Sequence, residues 1–292
     1  MVGLLLLDKP EGISSFGAAA AIRRISGEKR VGHTGTLDPM ATGLLPVLLG
    51  QATRLTSLLM DTTKEYEVVL RLGMTTDTLD IIGETLSQST PADEKALRAV
   101  LPRFTGEIQQ RPPMYSALKK DGVRLYQLAR EGKEVERPER PVTIQRLELI
   151  QQVGPADYRL RVTCSKGTYI RTLCDDIGKA LSCGGVMAAL RRTRTGGFSI
   201  DAAVTLDRLE KEGLSAHLLP ADRAVAGYPA VRVSAAQAKR FCNGGQLALQ
   251  RLTLPGNGAG LLRVYDPEGD FLGMGRVDRK KEELAVACLI RT

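Results

Sequence analysis

Tyr158-Arg159-Leu160-Arg161-Val162-Thr163-Cys164 alternates apolar and polar residues without a break, and Tyr66-Glu67-Val68-Val69-Leu70-Arg71-Leu72 repeats the pattern with Glu67 and Arg71 on its polar side. A period of two marks strands buried on one face, and an antiparallel sheet is their natural host. Around them the chain turns helical. Ser14-Ser15 caps a run with Ala18, Ile22 and Ile25 that stops at Gly27. Thr90-Pro91 opens a helix with Leu97, Val100, Leu101 and Phe104 on one side, and Ile170, Leu173, Ile177 and Leu181 mark another that ends at Gly184-Gly185. Helices and strands mix without regular alternation, so the spacing predicts an α+β fold on a mixed or antiparallel sheet rather than a doubly wound one.

The 292 residues, 43% of them hydrophobic, suffice for one large domain and a small one. The early apolar run Val2–Leu7 ends at Asp8 and Lys9, with no basic segment before it and no small-residue cleavage site after it, so neither secretion nor membrane spanning is expected. Five cysteines, at 164, 174, 183, 242 and 288, form no Cys-x-x-Cys pair and predict neither a disulfide framework nor a redox motif; a cytoplasmic setting fits. His33 and His217 are the two histidines and neither has a second ligand near it in sequence, so no metal is expected.

The net charge of +8 and pI near 9.3 suit a polyanionic partner, or a basic enzyme that has none. Between Arg159 and Arg194 eight Lys or Arg face only Asp175 and Asp176, which is where phosphates would go. Lys119–Arg140 carries seven basic and five acidic residues with few apolar ones, and reads either as a solvated helical hairpin or as a mobile RNA-gripping excursion. A boundary falls between Pro220 and Pro229. Beyond it Ser234-Ala235-Ala236-Gln237 forms a capping box for a helix ending at Asn243-Gly244-Gly245, and Leu261–Tyr265, Phe271–Val277 and Leu284–Ile290 read as short strands of a separate module.

The run Gly32-His33-Thr34-Gly35-Thr36-Leu37-Asp38-Pro39-Met40-Ala41-Thr42-Gly43 sets one carboxylate among glycines, hydroxyls and a histidine. Gly32, Gly35 and Gly43 permit positive φ and close approach of a ligand, and Pro39 bars a helix through Asp38. The stretch is either a reactive loop or a tight turn whose Asp38 caps the next element.

Five phrases in order carry a resemblance: LLLLDKPEGISS, GHTGTLDPMATGLLP, KEYEVVLRLGMTTDTLD, MYSALKKDGVRLYQLAREG and CSKGTYIRTLCDDIGKALSCGG. Together they resemble the TruB-type tRNA pseudouridine synthases over most of residues 3–200, and the tail is similar to the small RNA-binding PUA module of that family. The resemblance implies a catalytic domain over residues 1–225 with a thumb-like insertion at about 115–143, then a PUA-like domain over 228–292. It implies isomerisation of the T-loop uridine at tRNA position 55, by base flipping and without a cofactor, since the reaction involves no redox change. Asp38 matches the catalytic nucleophile. Arg171 matches the arginine expected to pair with that acid and hold it ionised. Tyr66 and Tyr169 match pocket tyrosines, Leu190 an apolar residue lining the uracil, and His33 the histidine beside the extruded nucleotide. Lys9 and Asp80 match supporting positions near the cleft.

The partner so implied is tRNA, through its T-arm and T-loop, with no membrane, no obligate protein partner and a monomer as default. Two other readings stand beside it. One is a guide-RNA-dependent relative acting on ribosomal RNA, against which the 119–140 excursion speaks, because a stand-alone enzyme must grip RNA itself. The other is a tRNA-binding or folding factor, which the presence of Asp38, Tyr66 and Arg171 makes an additional role rather than a replacement.

Overall fold

The computed structural model describes residues 1–60, 62–116, 118–120, 122–255 and 260–290. Residues 117 and 121, both within the insertion expected at about 115–143, lie outside this set, as do 256–259 and 291–292 of the C-terminal region. The chain divides into two compact units, one made of Met1–Pro39, Gly43–Asp61 and Ser199–Thr292, the other of Met40–Thr42 and Thr62–Phe198.

In the first unit the leucine run forms strand β1 (Gly3–Lys9), helix α1 follows (Ser15–Ser26), and β2 (Val31–His33) and β3 (Thr42–Leu49) complete the N-terminal part. β1 and β3 pair antiparallel from Gly3 opposite Leu49 to Lys9 opposite Gly43, and both are buried along nearly their whole length. That explains their unbroken apolar sequence: a strand covered on both faces has no polar side to show. Helix α1 is bounded as its sequence predicts. The Ser14 hydroxyl accepts from Gly17 N–H at 3.0 Å, and Gly27 adopts φ +67° while donating to Arg23 C=O.

The second unit is built on an antiparallel sheet. Its strands are β4 (Lys64–Leu72), β5 (Gly106–Gln110), β6 (Arg140–Gln152), β7 (Asp157–Cys164) and β8 (Gly185–Thr195), in the spatial order β8-β4-β7-β6-β5. β4 and β7 are adjacent, with Tyr66 opposite Val162 and Leu70 opposite Tyr158, so the two alternating phrases bury a common face. Strand β6 gave no such signal, because most of its residues are exposed or half-buried. Three helices lie between these strands among the described residues. The first, α2 (Glu94–Val100), starts later than the Thr90-Pro91 opening, because the Asp93 carboxylate caps Ala96 N–H at 2.7 Å and leaves Thr90 and Pro91 extended. Residues 119–140 hold a two-residue ladder (Lys119–Lys120 with Val123–Arg124) and one short helix, α3 (Leu125–Arg130), rather than a helical hairpin.

Helix α4 (Ile170–Ala180) packs on β8 and β4. It ends before the predicted Gly184-Gly185, since Cys183 and Gly184 both donate to Gly178 C=O and turn the chain into β8. At the crossing the backbones nearly touch. A Cβ on Gly178 would fall inside the backbone of Gly184 and Gly185, and one on Gly185 would stand 2.7 Å from Cys174 C=O.

The C-terminal module of the first unit has a sheet of β9 (Ala230–Arg232), β10 (Leu247–Ala248), β11 (Leu261–Tyr265), β12 (Phe271–Asp278) and β13 (Glu283–Leu289), ordered β9-β11-β12-β13-β10. β9 and β11 run parallel and the other pairs antiparallel. Helix α5 (Ala235–Cys242) carries the full capping box, with Ser234 N–H donating to the Gln237 amide oxygen at 2.8 Å. Phe241 on this helix is fully buried against Val231, Val264, Leu262 and Leu284.

Two predictions follow from α4. Gly178→Ala gains about 1 kcal/mol of helix propensity, but its methyl meets backbone that cannot yield; a net loss of at least about 2 kcal/mol is expected, read as a fall in Tm of about 5 °C or more. Asp176 is pushed up to about 6, chiefly by burial and next by the Asp175 charge, with Lys179 only partly offsetting them. Its ionisation therefore costs stability as pH rises through that value, and the cost vanishes below the ordinary aspartate range. Discounted for its partial exposure, Asp176→Asn should stabilise by on the order of 1 kcal/mol at pH 7.5, with the gain fading towards pH 4 in paired thermal melts.

Candidate active site

Asp38 lies half-buried on the turn between β2 and β3, in the first unit. Its two neighbours in sequence are clamped. The Ser15 hydroxyl accepts from Leu37 N–H at 2.8 Å and donates to Leu37 C=O at 3.0 Å. On the other side, Pro39 C=O accepts from Gly12 N–H at 2.9 Å and from Lys9 Nζ at 3.4 Å. Lys9 is fully buried, and its ammonium also donates to Pro10 C=O and Ile13 C=O, each at 2.7 Å. Burying an ammonium is tolerable only with such partners. The phrase DKPEGISS thus works as a bracket: Lys9, Gly12 and Ser15 together hold the backbone on both sides of Asp38. Gly35 and Gly43 take φ of +71° and +102°, as the loop reading expects of glycines at tight bends. His33 ends β2, opposite Val47 on β3, and Thr34 N–H donates to Pro46 C=O at 3.0 Å.

The second unit positions Tyr66, Asp80, Tyr169, Arg171 and Leu190. Tyr66 sits in mid-strand on β4, opposite Arg192 on β8, while Leu190 is opposite Val68. Residues facing each other across a ladder share a side of the sheet, so Tyr66 and Leu190 are diagonal neighbours on one buried face. Arg171, in the first turn of α4, is buried and reaches three groups: Tyr115 C=O from Nη2 at 2.7 Å, Thr78 C=O from Nη1 at 3.2 Å, and the Asp80 carboxylate at 3.8 Å.

Asp80 is itself a turn former. Its Oδ1 accepts from the Thr78 hydroxyl at 2.7 Å and from Ile82 N–H at 3.2 Å, beside Leu79 at φ +64°. The guanidinium therefore joins the Asp80 turn to the segment carrying Met114 and Tyr115. The family resemblance implied only that Asp80 lies near the cleft; its ion pair with Arg171 has no signal in the sequence.

Gln110 was missed altogether. It ends β5, is 2% exposed, and grips the backbone of Tyr169 with both ends of its amide: Tyr169 N–H donates to Oε1 at 2.7 Å, and Nε2 donates to Tyr169 C=O at 2.9 Å. Tyr169 is the N-cap of α4, so this pair of bonds fixes both that tyrosine and the helix start that carries Arg171. A glutamine at a strand end carries no local signal for such a role. Nearby, Cys164 and Cys174 have their thiols pushed up by burial, the first to about 11, which makes them packing residues rather than nucleophiles.

Comparison with known proteins places the sequence and the fold. Residues 23–170 match the model of the TruB family pseudouridylate synthase N-terminal domain, 171–226 that of the tRNA pseudouridylate synthase B C-terminal domain, and 229–286 that of the pseudouridine synthase II TruB C-terminal region. The chain is 48% identical to the tRNA pseudouridine synthase B of Burkholderia mallei, over 94% of this chain and 92% of the relative. It is likewise 48% identical to that of Aromatoleum aromaticum, over 94% and 89%. Among solved structures it is similar to a chain of a Cbf5-Nop10-Gar1 complex, with a TM-score of 0.74 and 27% identity over 99% of this chain and 84% of the other. A chain of an H/ACA ribonucleoprotein bound to a substrate RNA shares the fold, with the same TM-score of 0.74 at 24% identity over 99% and 85%. With family models matched over residues 23–286 and curated relatives matched over about nine-tenths of their length, the chain belongs to the TruB family of pseudouridylate synthases.

Proposed function

We propose that the substrate position is the T-loop uridine at tRNA position 55 and that Asp38 is the nucleophile that acts on it. The chain isomerises uridine in tRNA to pseudouridine, which the near-half identity to curated tRNA pseudouridine synthase B relatives supports. In the reaction the N1–C1′ glycosidic bond breaks, a C5–C1′ bond forms, the proton on C5 leaves and N1 takes one up. Substrate and product are isomers, and no electrons are gained or lost. A carboxylate nucleophile suits this chemistry.

The observation that carries the assignment of Asp38 is the clamping of its neighbours. A residue whose flanking carbonyls and amide are tied down by Lys9, Gly12 and Ser15 keeps its backbone in one place and so limits the positions open to its carboxylate, which is what positioning a nucleophile requires. Tyr66 and Leu190, on one sheet face, supply an apolar surface for a flipped base, and the family resemblance adds Tyr169, whose backbone Gln110 fixes. The family resemblance assigns Arg171 as the cation for the catalytic acid and His33 as the residue beside the extruded nucleotide, and Asp80 anchors the Arg171 guanidinium at 3.8 Å. Six of the eight cations between Arg159 and Arg194 are exposed or half-buried and suit the tRNA backbone, Arg171 and Arg192 being buried, and residues 228–292 suit a PUA-like RNA-binding role. The guided reading has less support, since the curated tRNA pseudouridine synthase B relatives match at 48% identity and the chain of the Cbf5-Nop10-Gar1 complex at 27%.

With an unmodified tRNA transcript, Asp38→Asn should lower pseudouridine formation by at least about a thousandfold while the Kd for tRNA stays within about twofold. Parallel loss of binding and chemistry would remove Asp38 from the nucleophile role. Ser15→Ala leaves Leu37 N–H buried and unpaired, so it should cost about 1–3 kcal/mol of stability. Below the melting range it should also cut kcat by about tenfold, with KM for tRNA unchanged; a rise in KM at constant kcat would argue against a bracket on Asp38.

A further inference from the structure

Ser116 is 5% exposed, and its hydroxyl oxygen is buried without a hydrogen-bond partner among the described residues. Native structures bury few such groups, and each asks for an explanation. Other serines of the chain use theirs: Ser14 and Ser234 cap helices, Ser15 grips Leu37, and Ser165 accepts from Thr143 N–H. The backbone of Ser116 is fully engaged. Its N–H donates to Met114 C=O at 2.9 Å and its C=O accepts from Tyr126 N–H at 3.2 Å. The preceding carbonyl, of Tyr115, is the one that holds Arg171 Nη2 at 2.7 Å. Ser116 is therefore anchored one residue from the Arg171 clamp, at the foot of the 119–140 excursion, with a hydroxyl that the protein's own bonding leaves unspent.

A serine hydroxyl relocates by a single staggered step about χ1 with its backbone unmoved. RNA is dense in acceptor oxygens, on phosphates, riboses and base carbonyls. We propose that Ser116 is a substrate-binding residue: its hydroxyl donates to an oxygen of the bound nucleotide, so that a group left unsatisfied in the free protein is satisfied only in the complex. This inference rests on the tRNA reading above.

The logic gives two effects of opposite sign for one substitution. Ser116→Ala removes the buried unsatisfied group, so the free protein should melt at the same temperature or higher. The same change removes a bond made only with RNA, so Kd and KM for an unmodified tRNA transcript should rise about three- to tenfold, with kcat within about twofold. Ser116→Cys, of similar size and a weaker donor, should fall between the two. A lower Tm for Ser116→Ala would mean that the hydroxyl is already bonded in the free protein, and an unchanged Kd would mean that RNA does not use it; either overturns the proposal. Wild type measured alongside separates the two readings. If wild type binds and converts the transcript while Ser116→Ala matches it, only the role of Ser116 fails; if wild type neither binds nor converts it, the tRNA reading falls and this inference with it.

Discussion

The turn that carries Asp38 depends on the carbonyl of Pro39, where Gly12 N–H and the Lys9 ammonium converge. Neither donor is free to wander. Lys9 is the last residue of β1, registered against Gly43, and its charge is buried among the carbonyls of Pro10, Ile13 and Pro39. The apolar pairing of β1 with β3 thus does more than fill a core. It sets the position of a cation, the cation sets the turn, and the turn sets the carboxylate of Asp38. An isolated salt bridge would have been a looser tether, since side-chain carboxylates rotate and backbone carbonyls do not.

The second unit repeats the scheme with different parts. Arg171 is held at the head of α4 by carbonyls of Thr78 and Tyr115 and by Asp80. The helix itself is seated by the near contact of Gly178 with Gly184 and Gly185, which removes the side-chain layer that would let it slide. In both units a buried cation is fixed mainly by main-chain oxygens. Main-chain oxygens impose a defined geometry, and at Arg171 the Asp80 carboxylate adds to them at 3.8 Å.

What was legible in the sequence was what is local. The alternating phrases around Tyr66 and Leu160 could be read because each strand buries one face, and the caps at Ser14, Gly27 and Ser234 because their partners lie within a turn. Strand β6 escaped because most of its residues face outward or sit half-covered, leaving no period to detect. Thr90-Pro91 misled because Asp93 offered a better cap three residues on. Gly178 reads in sequence as a weak spot in a helix; its reason is the backbone of a strand that folds back onto it. The bracket on Asp38 was visible only as a set of phrases shared with a family, since its hydrogen bonds join residues far apart in the chain.

The two-ended grip of Gln110 on Tyr169 carries a consequence for the lifetime of the protein rather than its fold. One end of that amide must donate and the other accept, so the side chain is an orientation lock that no carboxylate can replace. Amide side chains are chemically labile, above all when heated. Hydrolysis of this one to glutamate would delete the donor to Tyr169 C=O and leave a charge at a site that is 2% exposed. The start of α4, and with it Arg171, would lose its register through a change of a single functional group, so chemical ageing at Gln110 would erode the site without cutting the chain or unfolding the sheet.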